Sequence, residues 1–156
     1  MPNVLLAIVL LALLACFLGL SLGALGLLLP VLLPGRVETA RQYLRVPSLW
    51  MGLAHGLLLL LLLSRAEHRP LVGLLGVIWL VFALFCLALG AAAGIEQVGF
   101  LLWPEGPRLR RSLGSALVVA WACAVPYLGQ VLALCFLLTA YGAGLGGWTR
   151  RPRVSN

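Results

Sequence analysis

The chain has 156 residues, of which 63% are hydrophobic and 10% charged, and its mean hydropathy is +1.11. Soluble domains run at about 45–50% apolar and about 25% charged residues, so this composition excludes a soluble fold and points to one integral membrane domain over 1–156. The net charge of +7 comes from eleven Arg against four Glu, with neither Lys nor Asp, and the charges lie between apolar runs, which excludes nucleic acid as a natural partner and reads as a topology signal.

In chain order, the first apolar run, 4–33, carries no charge. No basic residue precedes it, so the positive segment of a secretory signal is missing and a retained helix is expected. Its length predicts tilting or a bend at Gly19–Gly23, with an end at Pro30 to Pro34. Segment 35–47 places Arg36, Glu38, Arg41 and Arg45 among apolar residues, a pattern that suits a short helix in the headgroup region and equally a plain solvated loop. A second span is expected at 49–63, with Trp50 as an interfacial anchor. Residues 64–70, with Arg65, Glu67, His68 and Arg69, read as a polar turn, and Pro70 suits the first position of a third span at 71–95. Glu96 and Gln97 then open a connection, 98–107, whose Phe100 to Trp103 stretch is expected at the interface. Arg108, Arg110 and Arg111 close it.

The remaining run, Ser112 to Trp148, would reach about 55 Å as one straight helix, nearly twice a hydrocarbon core of about 30 Å. It is interrupted once, at 124–130, which predicts spans at 112–125 and 128–148. If the run crosses once, the two sides carry six and five arginines and no orientation follows. If it crosses twice, Arg36, Arg41, Arg45, Arg108, Arg110, Arg111, Arg150, Arg151 and Arg153 gather on one side and only Arg65 and Arg69 on the other. The expectation is therefore an all-α polytopic bundle of five spans, with four and a broken last helix as the alternative. The N-terminus lies outside and the Arg-rich C-terminus in the cytoplasm of a cell membrane, of the bacterial inner-membrane type. Tyr43, Trp50, Trp103 and Trp148 fall beside the same boundary, as an aromatic belt would place them.

An apolar helix ending in proline, then Arg36-Val-Glu-Thr-Ala-Arg-Gln-Tyr-Leu-Arg45-Val-Pro, then a Leu-rich span, and finally Val125-Pro-Tyr-Leu-Gly129 leading into Trp148-Thr-Arg-Arg, resembles the membrane module that follows the polymer-forming β-helical domain of bactofilin-type cytoskeletal proteins. More loosely it is similar to Yip-type membrane domains. The similarity spans residues from about 10 to 151, and the 156 residues contain no β-helical domain. The resemblance implies an anchoring or scaffolding role, implies no catalytic residue, and leaves filament formation without its domain.

His55, flanked by Gly52 and Gly56, is the sharpest candidate for a haem or quinone contact, because an ionisable group at membrane depth is a functional hypothesis by default. A bis-His haem needs a second ligand, and His68 belongs to the opposite boundary, so a neutral, hydrogen-bonded interhelical histidine is expected and no cofactor. Glu96 with Gln97 reads as a solvated or Arg-paired interfacial pair rather than a cation site. Tyr127, Gln130, Thr139 and Tyr141 are polar enough to line a cavity between the last two helices, though such residues more often bond across helices. Cys16, Cys86, Cys123 and Cys135 have no C-x-x-C spacing and read as small buried hydrophobes, not metal ligands. Gly19 with Gly23, Gly52 with Gly56, Gly90 with Gly94 and Gly142 with Gly146 put small residues on one face of four helices, for packing inside the bundle or against other membrane proteins. The function expected is a non-enzymatic anchor, scaffold or accessory subunit, with a small transporter or channel component as the rival. The lipid bilayer is the partner, with anionic headgroups over the nine arginines.

Overall fold

The computed structural model describes residues 2–64 and 70–149; the expected turn at Arg65, Glu67, His68 and Arg69, and Arg150, Arg151 and Arg153, lie outside them. Among the described residues the fold is wholly helical: α1 (Pro2–Leu32), α2 (Pro34–Gln42), α3 (Val46–Ser64), α4 (Pro70–Leu102), α5 (Arg108–Ala124) and α6 (Leu128–Thr149). Three helical stretches, Val9–Leu32, Leu74–Leu102 and Leu128–Thr149, are long and apolar enough to cross a membrane. A fourth crossing is available if α2 and α3, bent by 106° across their joint, count as one broken span. At 17 residues α5 is about 26 Å long, short of a full crossing, and it begins on three arginines.

Several expected boundaries move. The third span, expected at 71–95, is longer: α4 runs on through Glu96 and Gln97 to Leu102, so the first part of 98–107 is helix and not a free interfacial segment. Glu and Gln are good helix formers, and what stops α4 is Pro104, which disfavours helical geometry at Trp103. In α1 the helix is unbroken through Gly19–Gly23 and carries Pro30 inside it. The predicted break between the last two helices falls at 125–127. Val125 is extended ahead of Pro126, and Tyr127 takes a left-handed φ of 61°, unusual for a residue with a Cβ.

Packing is built on small residues. The buried face of α5 is Ser112, Ser115, Ala116 and Ala120, at the spacing that puts them on one stripe. That stripe takes α1 closely: a Cβ added at Gly19 would lie 2.9 Å from Leu117, and one at Gly26 would lie 2.6 Å from the Ser112 hydroxyl. Ser112 Oγ in turn donates to the Gly23 carbonyl at 2.9 Å. Because rising numbers on α1 meet falling numbers on α5, the two run antiparallel. The same holds for α4 and α6, where Gly94 faces Phe136, Gly90 faces Ala140 and Gly144 faces Cys86. The core thus sits on the second half of α4, with Cys86, Leu89, Ala92, Ala93 and Ile95 fully enclosed. Away from it the helices show leucine, as lipid-facing surface would: Leu13, Leu14 and Phe17 on α1, Leu60 and Leu61 on α3, Leu74, Leu75 and Val81 on α4, and Leu128 and Leu134 on α6 are all exposed.

Candidate functional site

Among the described residues, arginines of α2 and α5 meet over the end of α4. Pro34 starts α2, where its missing N–H costs nothing, and Val37, Thr39 and Ala40 are buried against α4 and α6, so α2 is a packed helix and not a solvated loop. Thr39 closes its hydroxyl onto the Gly35 carbonyl at 2.7 Å. Burial of this face leaves the arginines to point outward along the neighbouring helices.

Arg36 reaches the end of α6, donating from Nη1 to the carbonyls of Gly147 (3.2 Å) and Trp148 (2.6 Å), and its guanidinium lies 4.9 Å from the Trp148 ring centre. A cation on the last carbonyls of a helix satisfies orphan acceptors and complements the negative end of the dipole. Trp148 is held in turn edge-on by Phe85 and Phe82, at 5.5 and 6.3 Å between ring centres. Arg41 pairs with Glu38 at 3.2 Å and also lies 5.1 Å from the Phe100 ring; Arg111, from α5, lies 4.2 Å from the same ring. Arg110 sits 5.8 Å from the Trp103 ring. Each such cation–π contact is worth about 0.5–1 kcal/mol where exposed. Arg108 and Arg111 line one small cavity with Glu96, Ser112 and Gly26, and among the described residues the ion pair formed is Arg41 with Glu38 rather than one at Glu96. Arg45 stands at the α2–α3 joint. The sequence placed these residues near one another; it carried no signal that Arg36 would cap α6 or that two arginines would share Phe100.

His55 is half-buried on α3, its Nδ1 3.0 Å from the Met51 carbonyl and its ring stacked on Trp79 at 6.4 Å and 19°. Facing a carbonyl, Nδ1 is the nitrogen that carries a proton and donates it. Nearby, Trp79 Nε1 and the hydroxyl of Tyr141, a residue only 8% exposed, are buried without a hydrogen-bond partner. Tyr127 and Gln130 point outward, Tyr127 at 85% exposure, so the expected cavity of Tyr127, Gln130, Thr139 and Tyr141 is not assembled: of the four, Tyr141 alone is enclosed. Tyr127 and Gln130 lie on the break and the first turn of α6, before α6 reaches α4.

Seven of the eight candidate glycines meet a neighbour where a side chain would stand. Gly52 and Gly142 face each other at the crossing of α3 and α6, Gly94 lies against Phe136, and Gly146 lies against the Tyr43 ring. Gly56 is the exception, with nothing within 4 Å, because it sits one turn beyond that crossing. The cysteines are free; Cys86 is buried and Cys135 exposed, so Cys135 does not fit the expected buried class. Among the described residues no three His, Cys, Asp or Glu side chains come together as a metal site. No family model matches this sequence, and neither a curated protein nor a solved structure is significantly similar to it.

Proposed function

We propose that the chain is a non-enzymatic membrane protein acting as an anchor, scaffold or accessory subunit, as its resemblance to the bactofilin-associated membrane module implies. The observation that carries this reading is how the polar side chains of the apolar helices use their hydrogen bonds. Ser48, Ser64, Ser115, Thr149 and His55 all turn back to carbonyls of their own helix or the residue just before it. Groups spent in this way do not line a path for a solute; Ser112, which reaches across from α5 to the Gly23 carbonyl of α1, is spent on holding two helices together.

The topology we favour has three crossings, α1, α4 and α6, the helices long and apolar enough for it, with α5 and the bent α2–α3 pair penetrating partway. The opposite senses of α4 and α6 support it, since five alternating spans would make those two helices parallel. Arg36, Arg41, Arg45, Arg65, Arg69, Arg150, Arg151 and Arg153 then share one side and Arg108, Arg110 and Arg111 the other, a bias of eight to three that keeps the C-terminus cytoplasmic. Five crossings remain the second reading, because Arg41 and Arg111 flank the same Phe100 ring and so group their segments on one face. Labelling of single cysteines separates the two: at Tyr127 a cysteine reacts from the side opposite the C-terminus in both, whereas at Ser64 it reacts from that side only if there are five crossings.

Reconstitution tests the function itself. Proteoliposomes should stay as tight to protons, sodium and small organic anions as empty vesicles, while the protein resists extraction by alkaline carbonate. Saturable uptake would move the reading to a transporter, and Trp79, stacked on His55, with the enclosed Tyr141 are the residues that would then be implicated.

A further inference from the structure

The α2–α3 joint meets the end of α6 around a cavity of about 390 Å³, lined among others by Gln42, Arg45, Ser48, Met51 and Thr149. This volume falls in the range of about 300–1,000 Å³ typical of small-molecule sites. No carboxylate lines it. Ser48 and Thr149 are not available as donors, since their hydroxyls are committed to the carbonyls of Arg45 (2.6 Å) and Leu145 (2.9 Å). Tyr43 lines it too and is engaged with another group; the remaining donors are the Arg45 guanidinium and the Gln42 amide, both exposed and neither engaged by another side chain among the described residues. Pro47 and Met51 supply an apolar wall, and the cavity opens beside the N-terminal end of α3, where the backbone dipole favours an anion. Two uncommitted donors, one of them cationic, over an apolar wall at the end of membrane-length helices form a site for an anion with a greasy tail.

We propose that this corner binds one phosphodiester anion, the phosphate of an anionic phospholipid, with Arg45 gripping it through its planar fork, Gln42 adding a hydrogen bond, and the first acyl methylenes lying along Met51 and Pro47. The assignment rests on the membrane reading above. Alkaline carbonate extraction tests that reading separately: a chain that stays in the membrane pellet but binds no lipid at this corner loses the site and keeps its location.

The test is native mass spectrometry of the full chain in mild detergent, titrated with phosphatidylglycerol, with matched phosphatidylcholine, and with inorganic phosphate. Phosphatidylglycerol adducts should exceed those of phosphatidylcholine and should fall roughly tenfold in Arg45→Gln, the scale of one lost charge-assisted contact. Gln42→Ala should give a smaller loss and Arg45→Lys an intermediate one, with melting temperatures held near the parent because both residues are exposed. Parental adducts in the Arg45→Gln, Gln42→Ala double variant overturn the site. So does an equal loss in Arg110→Gln, which would mean diffuse charge rather than a pocket. Displacement of the lipid by equimolar inorganic phosphate would reassign the corner to a free anion and overturn the lipid.

Discussion

Gly52 and Gly56 lie one turn apart on α3 in the same Leu-rich setting, yet the same substitution should act on them with opposite sign. At Gly52 an added Cβ would run into the Leu138 carbonyl oxygen and lie 2.9 Å from the Leu138 carbonyl carbon and 3.3 Å from the Gly142 nitrogen. These are backbone atoms of a second helix, so no rotamer change relieves the overlap, and α3 must part from α6. Overpacking of this kind costs about 1–3 kcal/mol, and a gap of about 1 Å also forfeits a quarter to a half of each dispersion contact it opens. Alanine returns about 1 kcal/mol of helix propensity, leaving Gly52→Ala destabilised by up to about 2 kcal/mol before the lost dispersion contacts are added. At Gly56, where nothing lies within 4 Å, only the propensity gain applies and Gly56→Ala should be neutral or stabilised by up to about 1 kcal/mol. Unfolding in mixed micelles by titration with sodium dodecyl sulfate, followed by far-ultraviolet circular dichroism, reads both. Equal shifts for the two variants would refute the close crossing of α3 and α6.

Replacing Arg36 with Gln should speed amide exchange over the last turn of α6 and destabilise the chain by about 1–2 kcal/mol, with Arg36→Lys recovering only part because a compact ammonium has no plane to lay on the Trp148 ring; unchanged protection at 145–149 would argue against the cap. His55→Gln should melt within about 1 kcal/mol of the parent and abolish no visible absorption band, since the ring bonds its own helix; loss of a Soret band on substitution would establish a haem. Tyr127→Gly should be tolerated, because glycine accepts the left-handed φ, whereas Tyr127→Val should cost about 1–2 kcal/mol in the same denaturation assay. In a cysteine-free background, a cysteine at the exposed Gln42 should react only after permeabilisation; the neighbouring Thr39 is buried and would be a poor reporter.

What the sequence made legible were the features that depend on local composition. The apolar runs, the break at Val125-Pro-Tyr127 and the start at Pro70 are written in hydropathy and proline, and they survive in the helices. Glu96 and Gln97 suggest an end by their polarity, yet neither residue stops a helix, and α4 ends only ahead of Pro104. The glycine pairs named the contact faces but could not tell Gly52 from Gly56, since a motif on one helix does not say where the partner crosses. The arginines were legible as a charge pattern. That Arg36 is spent on α6 and that Arg41 reaches the Phe100 ring which Arg111 also covers depends on contacts more than 50 positions apart, which no periodicity reports.

The bond from Arg36 to Gly147 joins positions 111 residues apart, and this separation has a temporal meaning. At a synthesis rate of about 5–20 residues per second, the two partners leave the ribosome about 6–22 s apart. Through that interval the second helix has neither the last carbonyls of α6 to cap nor a glycine of that helix to lie upon. Its final position is therefore decided after the nascent chain has already committed its first apolar segment to the bilayer. An arrest-peptide series placed downstream should register a pulse of tension as residue 148 emerges, and that pulse should vanish when residue 36 carries Gln.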